Sequence, residues 1–335
     1  MPLPGQIAPP RKDWQHQLRT VITSRSELLD GLGLSVADVG ISGNACEDFP
    51  LKVPRSFVQR MQPGDPRDPL LLQVLSTQQE MTDIPGYFRD PLGESGATIP
   101  QRGIIHKYQG RVLLIVSGGC AVNCRYCFRR HFPYHENQNS RQQWIEALQY
   151  ISADNSIEEV ILSGGDPLVA TDEQLQQLVQ QIASIGHVRR LRIHSRLPIV
   201  IPQRVTSSLL AAITHARLQT VMVIHCNHAN EIDEAVTEAL EMLHNHHITT
   251  LNQAVLLKGI NDSLAAQVAL NQALFAAGTL PYYLHLLDRV QGAAHFDVPE
   301  SRARMLMDEV AARLPGYMVP KLVREVAGAD AKVAV

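Results

Sequence analysis

Net charge, long apolar runs and cysteine are all scarce in this sequence. Lys and Arg number 30 against 33 Asp and Glu, leaving a formal −3. No bulk field for nucleic acid or an anionic membrane surface is expected from that balance. No uninterrupted apolar stretch reaches the ~20 residues that span a bilayer. Residues 1–12 are polar and Pro-rich and lack the apolar centre of a secretory signal. The expectation is a cytoplasmic protein that engages neither membrane nor nucleic acid. Cysteine occurs five times in 335 residues, and three of the five are clustered. That usage argues against a disulfide scaffold; in a reducing compartment such a cluster reads as metal-binding. Cys46 and Cys226 are isolated and read as ordinary thiols. What the chain does have is 45% hydrophobic residues, ample for a large core. One barrel-like domain preceded by an N-terminal extension follows as the prior.

The clustered thiols are Cys120, Cys124 and Cys127, in a C-x3-C-x2-C spacing just after the apolar run 112–116. The run reads as a buried strand, so the thiols occupy the loop leaving its C-terminal end. Three thiolates on one loop can wrap a corner of a [4Fe–4S] cube, which normally takes four cysteines. Lacking a local fourth, one iron would stay open to an outside ligand. Two blander readings compete. The cysteines could be buried hydrophobes, or could hold zinc with His131 or His135. The spacing is not the paired C-x2-C of structural zinc sites, and Tyr126 between the last two thiols suits a cluster loop.

Further along, apolar β-rich runs recur at 112–117, 160–163, 191–194, 220–225, 249–256 and 282–287. Helix-like stretches lie between them at 140–151, 171–185, 205–216, 231–244 and 263–277, with a last one at 299–314. Asp172 and Asp233 fall in first turns, where a carboxylate suits the helix dipole. Alternating strand and helix implies a parallel sheet with right-handed crossovers. Six strands make an α/β fold of the open, partial (β/α)6 barrel type. The expected organisation is a helical extension over 1–95, a barrel over 96–315 and a terminal segment over 316–335. Within the extension, 13–32, 54–60 and 68–79 read as helices that cover one side of the barrel, and 81–103 as a connecting loop. In such barrels chemistry gathers at strand C-terminal ends. The cysteines, Ser163-Gly164-Gly165-Asp166, His194-Ser195-Arg196, His225 and Asp288 all sit there.

The cysteine spacing with its aromatic resembles the radical SAM signature. The longer run from Cys120 through Cys127-Phe128-Arg129-Arg130 is similar to the lysine 2,3-aminomutase family, and in particular to its shorter branch, which makes β-lysine for modifying elongation factor P. The likeness begins near 65–70 and runs almost to the C-terminus. It implies a radical SAM barrel with a [4Fe–4S] cluster on Cys120, Cys124 and Cys127, S-adenosylmethionine, pyridoxal phosphate and an electron donor for the cluster. It gives Ser163, Gly164, Gly165 and Asp166 to the methionine part of S-adenosylmethionine; glycines also let a backbone approach a ligand closely. Lys332 matches the lysine that carries pyridoxal phosphate, although only Gly328 remains of the glycine run that precedes it in relatives. Lys321, after Pro320, is the competing position. Lys107 and Arg111 match cations for the phosphate, and Arg196 is a further candidate. At Lys107 relatives have arginine, so a point charge replaces a fork. His225 and Gln253 are expected to line the adenosyl or pyridoxal site.

The resemblance also assigns the amino acid. Arg129 matches the carboxylate-binding arginine, and guanidinium–carboxylate pairing is directional. Asp288 and Glu325 match two acidic positions for the ε-ammonium, with glutamate at the second where relatives have aspartate. A buried ammonium needs such partners, and the same pair would repel a glutamate side chain. Conversion of L-lysine to (R)-β-lysine is the expected activity. An aminomutase for another amino acid, and a non-catalytic metal-binding module that contacts translation factors, are the alternatives. The chain ends three residues after Lys332, before the zinc-binding, oligomerising region of clostridial-type aminomutases, which fits the shorter branch. His244, His246 and His247 read as a solvated cluster at a helix end.

Overall fold

The computed structural model describes residues 13–40, 49–94, 98–134 and 141–335. Cys46, His135 and the first twelve residues lie outside that range.

Two short helices, α1 (Trp14–Arg19) and α2 (Arg25–Leu32), replace the single run expected over 13–32. The break is capped twice: Asp13 accepts the backbone amides that open α1, and Ser24 that of Glu27 in α2. A one-turn helix, α3 (Arg55–Val58), follows. The expected helix over 68–79 is instead a series of turns. Asp68 is the reason, because its Oδ1 accepts the amides of Leu70 and Leu71, a local alternative to helical pairing. Only Gln78–Met81 forms a 3₁₀ turn there.

The extension is pinned to the C-terminal end of the sheet. Ser56 donates to the Val200 carbonyl at 2.6 Å, and Arg60 donates to the carbonyls of Ile199 and Glu231. It therefore walls the end of the barrel at which chemistry is expected.

From β1 (Ile104–Tyr108) the chain turns back into β2 (Arg111–Ser117), antiparallel to it. Helix and strand then alternate: α4 (Arg141–Ala153), β3 (Glu159–Gly164), α5 (Asp172–Ser184), β4 (Arg190–Ser195), α6 (Leu197–Val200) and α7 (Ser207–Ile213), and β5 (Gln219–Ile224). There follow α8 (Glu234–Asn245), β6 (Thr249–Val255), α9 (Leu264–Ala276), β7 (Leu280–His285), α10 (Glu300–Ala311), β8 (Lys321–Arg324) and β9 (Val333–Ala334). Strands pair in sequence order, and β2 through β8 are all parallel. The six expected strands are present. A seventh parallel strand, β8, extends them, and β9 folds back antiparallel on β8. Among the described residues no backbone ladder joins β1 to β9, so the sheet remains an open, partial barrel.

Strand parity separates two environments. On β4, Leu191 and Ile193 enter the main apolar core beneath the helices, while Arg192 and His194 take the other face. Leu114 of β2, Met222 of β5, Leu284 of β7 and Leu322 of β8 share that outer layer. Each fully buried side chain of this kind contributes roughly 1.5–3 kcal/mol. The helices meet them with amphipathic faces, as in α5, where Leu175, Leu178, Val179 and Ile182 are buried and Thr171 with Gln174 forms a capping box. The inner parity carries Arg111, Glu159, Arg192, His194, Gln253, Tyr283 and His285. A chamber lined with polar groups results.

Candidate active site

The cysteine loop begins one residue after Gly119 and is held from several directions. Its backbone donates from Asn123 to the Lys52 carbonyl and from Arg125 to that of Gln73, both at 2.9 Å. Arg125 is fully buried, with its guanidinium against Glu80 and the Phe49 carbonyl. Arg130 donates to the same Glu80 at 2.9 Å. Burial would raise the Glu80 carboxyl, but the two guanidiniums outweigh it and hold the group below its ordinary value.

Burial, together with neighbouring thiols, pushes Cys120 well up and Cys127 up to about 11. Thiols that disfavour each other's charge need a shared cation to become thiolates. Among the described residues no three His, Cys, Asp or Glu side chains are arranged to hold one metal ion. His131 Nε2 faces the Gln291 carbonyl at 3.4 Å. Three soft thiols at the corners of a larger group suit a cluster.

The two glycines after β3 are packed against this loop. Gly165 donates to the Ser117 carbonyl at 2.7 Å and Asp166 to that of Gly119 at 2.8 Å. A Cβ at position 164 would lie 2.5 Å from the Ser117 carbonyl oxygen, and one at 165 would overlap the Gly119 carbonyl. Gly164 also has φ +116, a backbone state that side chains rarely adopt. Tyr134 donates to the Gly164 carbonyl at 2.6 Å. Ser163 is buried at the end of β3. Asp166 belongs to the scaffold: its oxygens accept from the Ser195 hydroxyl at 2.7 Å and from the amides of Leu168, Arg196 and Leu197.

Arg196 is likewise committed. It donates to the Cys124 sulfur, the Tyr126 hydroxyl and Gln73, each at 2.7 Å, and to Glu231 at 3.1 Å. The structure places it with the cluster loop, apart from the other two cations expected for a phosphate. Of those, Lys107 pairs with Glu94 at 2.8 Å and lies 3.7 Å from Glu325. Arg111 stacks its guanidinium 4.6 Å from the centre of the Tyr108 ring.

At the other side of the chamber the open seam of the barrel is bridged by side chains. Glu325 emerges just past β8. Its Oε1 accepts from the Tyr108 hydroxyl of β1 at 2.5 Å, and its Oε2 from Lys332 Nζ at 2.6 Å. Burial alone would raise the Glu325 carboxyl; Lys332, Tyr108 and Lys107 together draw it below its usual range. Lys332 also lies 5.6 Å from the Tyr283 ring centre. Lys321 starts β8 and is exposed, at the end of that strand away from Glu325. Asp288 follows β7, and burial, reinforced by Glu325, pushes it up to about 7.

Arg129 connects the two sides. It sits two residues past Cys127 and donates from Nε at 2.6 Å and Nη2 at 3.0 Å to both oxygens of Glu94. A continuous path of ion pairs therefore runs from Arg129 through Glu94, Lys107 and Glu325 to Lys332.

Between the sides lie three imidazoles, His285 buried and His194 and His225 half-buried. The His194 and His225 rings are 6.0 Å apart, and His285 lies 5.6 Å from Tyr283. Burial pushes His225 down to about 3 and the other two lower than their ordinary value, so all three are neutral near pH 7. The Nε2 atoms of His194 and His285 are buried and have no hydrogen-bond partner among the described residues. Such orphaned groups are costly unless a ligand or water serves them. With the Lys332 charge acting on both, they fit a polar cofactor in this chamber. Gln253 shares that inner face, paired in register with Tyr283.

Sequence reading did not find Glu94, Glu80, Gln73, Tyr108, Tyr134 or His285. Glu94 and Glu80 lie in irregular segments where no periodicity marks an inward side chain. His285 had a usable signal, being a polar residue on the inner parity at a strand end.

Residues 114–269 match the radical SAM superfamily. The chain is 50% identical over 325 residues to the L-lysine 2,3-aminomutase of Escherichia coli strain K12, covering 97% of this chain and 94% of that protein. With the protein of the same name from Haemophilus influenzae it shares 47% over 318 residues, 95% of this chain and 94% of the other. With that of Buchnera aphidicola the figures are 43% over 325 residues, 96% and 95%.

Proposed function

Because the chain belongs to the lysine 2,3-aminomutase family of radical SAM enzymes, a family of isomerases, we propose that its chamber takes free L-lysine and yields (R)-β-lysine. Enzymes of this family use a [4Fe–4S] cluster with S-adenosylmethionine and depend on pyridoxal phosphate. When bound, the first two supply hydrogen-atom abstraction and the third a π-system across which nitrogen can migrate.

The remaining work falls to the side chains. Cys120, Cys124 and Cys127 would hold the cluster. Gly164 and Gly165 keep that loop close to the end of β3, and their backbone offers the methionine part its polar edge. Lys332 carries pyridoxal phosphate and must present a neutral amine to do so. Its ion pair with Glu325 passes to the substrate once the amine is engaged, which frees Glu325 for the ε-ammonium. Asp288 is the second partner of that ammonium. Lys107 and Arg111 face the phosphate. Arg129 receives the α-carboxylate, which fixes Cβ relative to the cluster. The neutral imidazoles of His194, His225 and His285 offer hydrogen bonds without adding charge.

The observation that carries this reading is the unbroken path of ion pairs from Arg129, beside the last cysteine, to Lys332. It supports a single chamber in which hydrogen abstraction and amine capture occur on one molecule. An electron donor would reduce the cluster. The likeness of the run from Cys120 to Arg130 to the shorter family branch supports elongation factor P modification as the fate of the product. The test is anaerobic incubation of the reconstituted protein with labelled lysine, followed by chiral analysis. β-Lysine is expected, and Lys332→Ala should lose both product and the visible pyridoxal band. Absence of product with cluster and both cofactors bound would reject the reading.

A further inference from the structure

Glu94 is 3% exposed and carries three charge-assisted contacts: two from Arg129 and one from Lys107. Its backbone amide donates to Asp90 at 2.9 Å, which fixes the turn that presents it. The pairing with Arg129 is side-on, through Nε and Nη2. That geometry uses one edge of the guanidinium and leaves Nη1 and the outer hydrogen of Nη2 for a second carboxylate. Among the described residues Nη1 has no hydrogen bond, and Arg129 lines a cavity of about 210 Å³ together with Asp90, Glu94, Phe128, His131 and Phe132. The remaining contact, to Lys107, places the same carboxylate on the cation that lies 3.7 Å from Glu325.

From this geometry we infer that Glu94 is a positioning residue: it fixes Arg129 and Lys107 in one arrangement, so that the α-carboxylate of lysine and the phosphate of the cofactor meet cations already aimed. The inference rests on the roles given above to Arg129 and Lys107. Physically, a guanidinium on a flexible stem loses rotamer freedom when it binds a ligand. A buried carboxylate that already holds one edge removes that cost from the binding step. Glu94 also neutralises two cations that would otherwise stand in a partly dry chamber before any ligand arrives. Because one carboxylate serves both, loosening it should weaken capture of amino acid and cofactor together.

The experiment compares the full-length, cluster-loaded wild type with Glu94→Gln, Glu94→Asp and Arg129→Gln. Pyridoxal phosphate is titrated by its visible band. Lysine and cadaverine, which is lysine without the carboxylate, are then titrated by the shift of that band. In the wild type lysine should bind far more tightly than cadaverine. Glu94→Gln should reduce that preference by about ten- to a hundredfold, the scale of a lost charge-assisted hydrogen bond. It should also raise the pyridoxal phosphate dissociation constant severalfold and leave iron content unchanged. Glu94→Asp should restore much of the preference. An unchanged lysine-to-cadaverine ratio in Glu94→Gln, with the ratio collapsed in Arg129→Gln, overturns the role of Glu94 alone. A ratio unchanged in Arg129→Gln overturns the carboxylate site as well. Equal weakening of lysine and cadaverine in Glu94→Gln, unrescued by Glu94→Asp, assigns Glu94 to the fold and also overturns the inference.

Discussion

Around the three cysteines the scaffold already matches nearly every charge. Glu80 serves Arg125 and Arg130, Glu231 serves Arg196, and Asp166 is spent on Ser195 and three backbone amides. Around Lys332 the charges instead face one another across the chamber: Glu325 between Tyr108, Lys107 and Lys332, and the half-buried Asp288 carboxylate with no hydrogen bond or ion pair among the described residues. The first side is finished before any ligand binds. The second is an arrangement that ligands rearrange. The difference matches the cargo. Under the proposed function a cluster would be resident and need a rigid seat, whereas an amino acid would enter, exchange partners with Lys332 and leave.

The strongest way to break that contrast is to disturb the rigid side. Gly165→Ala forces a Cβ into the Gly119 carbonyl, and backbone cannot yield as a side chain can. Iron per chain and visible cluster absorbance should fall severalfold or more, with overall folding retained by circular dichroism. Normal iron loading in this variant would show the cysteine side to be as adaptable as the other.

A smaller effect is expected at the seam. Tyr108→Phe removes the hydroxyl that steadies Glu325 from the opposite edge strand. Lysine binding should weaken about tenfold, as for a hydrogen bond to a charged group, with iron content untouched. If lysine affinity is unmoved, the seam contact is incidental to the site.

The smallest effect is one of pH. Burial, then Glu325, raises Asp288 to about 7. Below that value it takes up a proton and ceases to attract an ammonium; an ε-ammonium bound beside it pulls the value down. Lysine affinity should therefore fall as pH is lowered, by about fourfold from pH 8 to 6.5 for a single group titrating near 7, and binding should release a proton in that range. Asp288→Asn should flatten the profile at a lower overall affinity. A profile unaltered in that variant would assign the titration elsewhere.

The cysteine side was legible because its three thiols lie within one short stretch. C-x3-C-x2-C after an apolar run needs no knowledge of distant residues. The six central strands were legible for the same local reason, since apolar β-rich runs separated by capped helices fix their own boundaries. The N-terminal extension was legible only in part. Asp68 diverted 68–79 into turns, and the contributions of Gln73, Glu80 and Glu94 depend on which way irregular backbone faces.

By itself, then, the chain order determined an alternating α/β architecture and a thiol loop at a strand's C-terminal end. Only the tertiary structure decided that Arg196 sits with the cluster loop, that Asp166 is scaffold, and that β8 carries the terminal segment inward. It alone brought Lys332 onto Glu325 and Tyr108. The reason is physical. Hydrophobic spacing and capping act between residues a few positions apart, whereas the partner of a buried charge is set by which strand ends meet when the sheet curls, and here those ends lie more than two hundred residues apart in the chain.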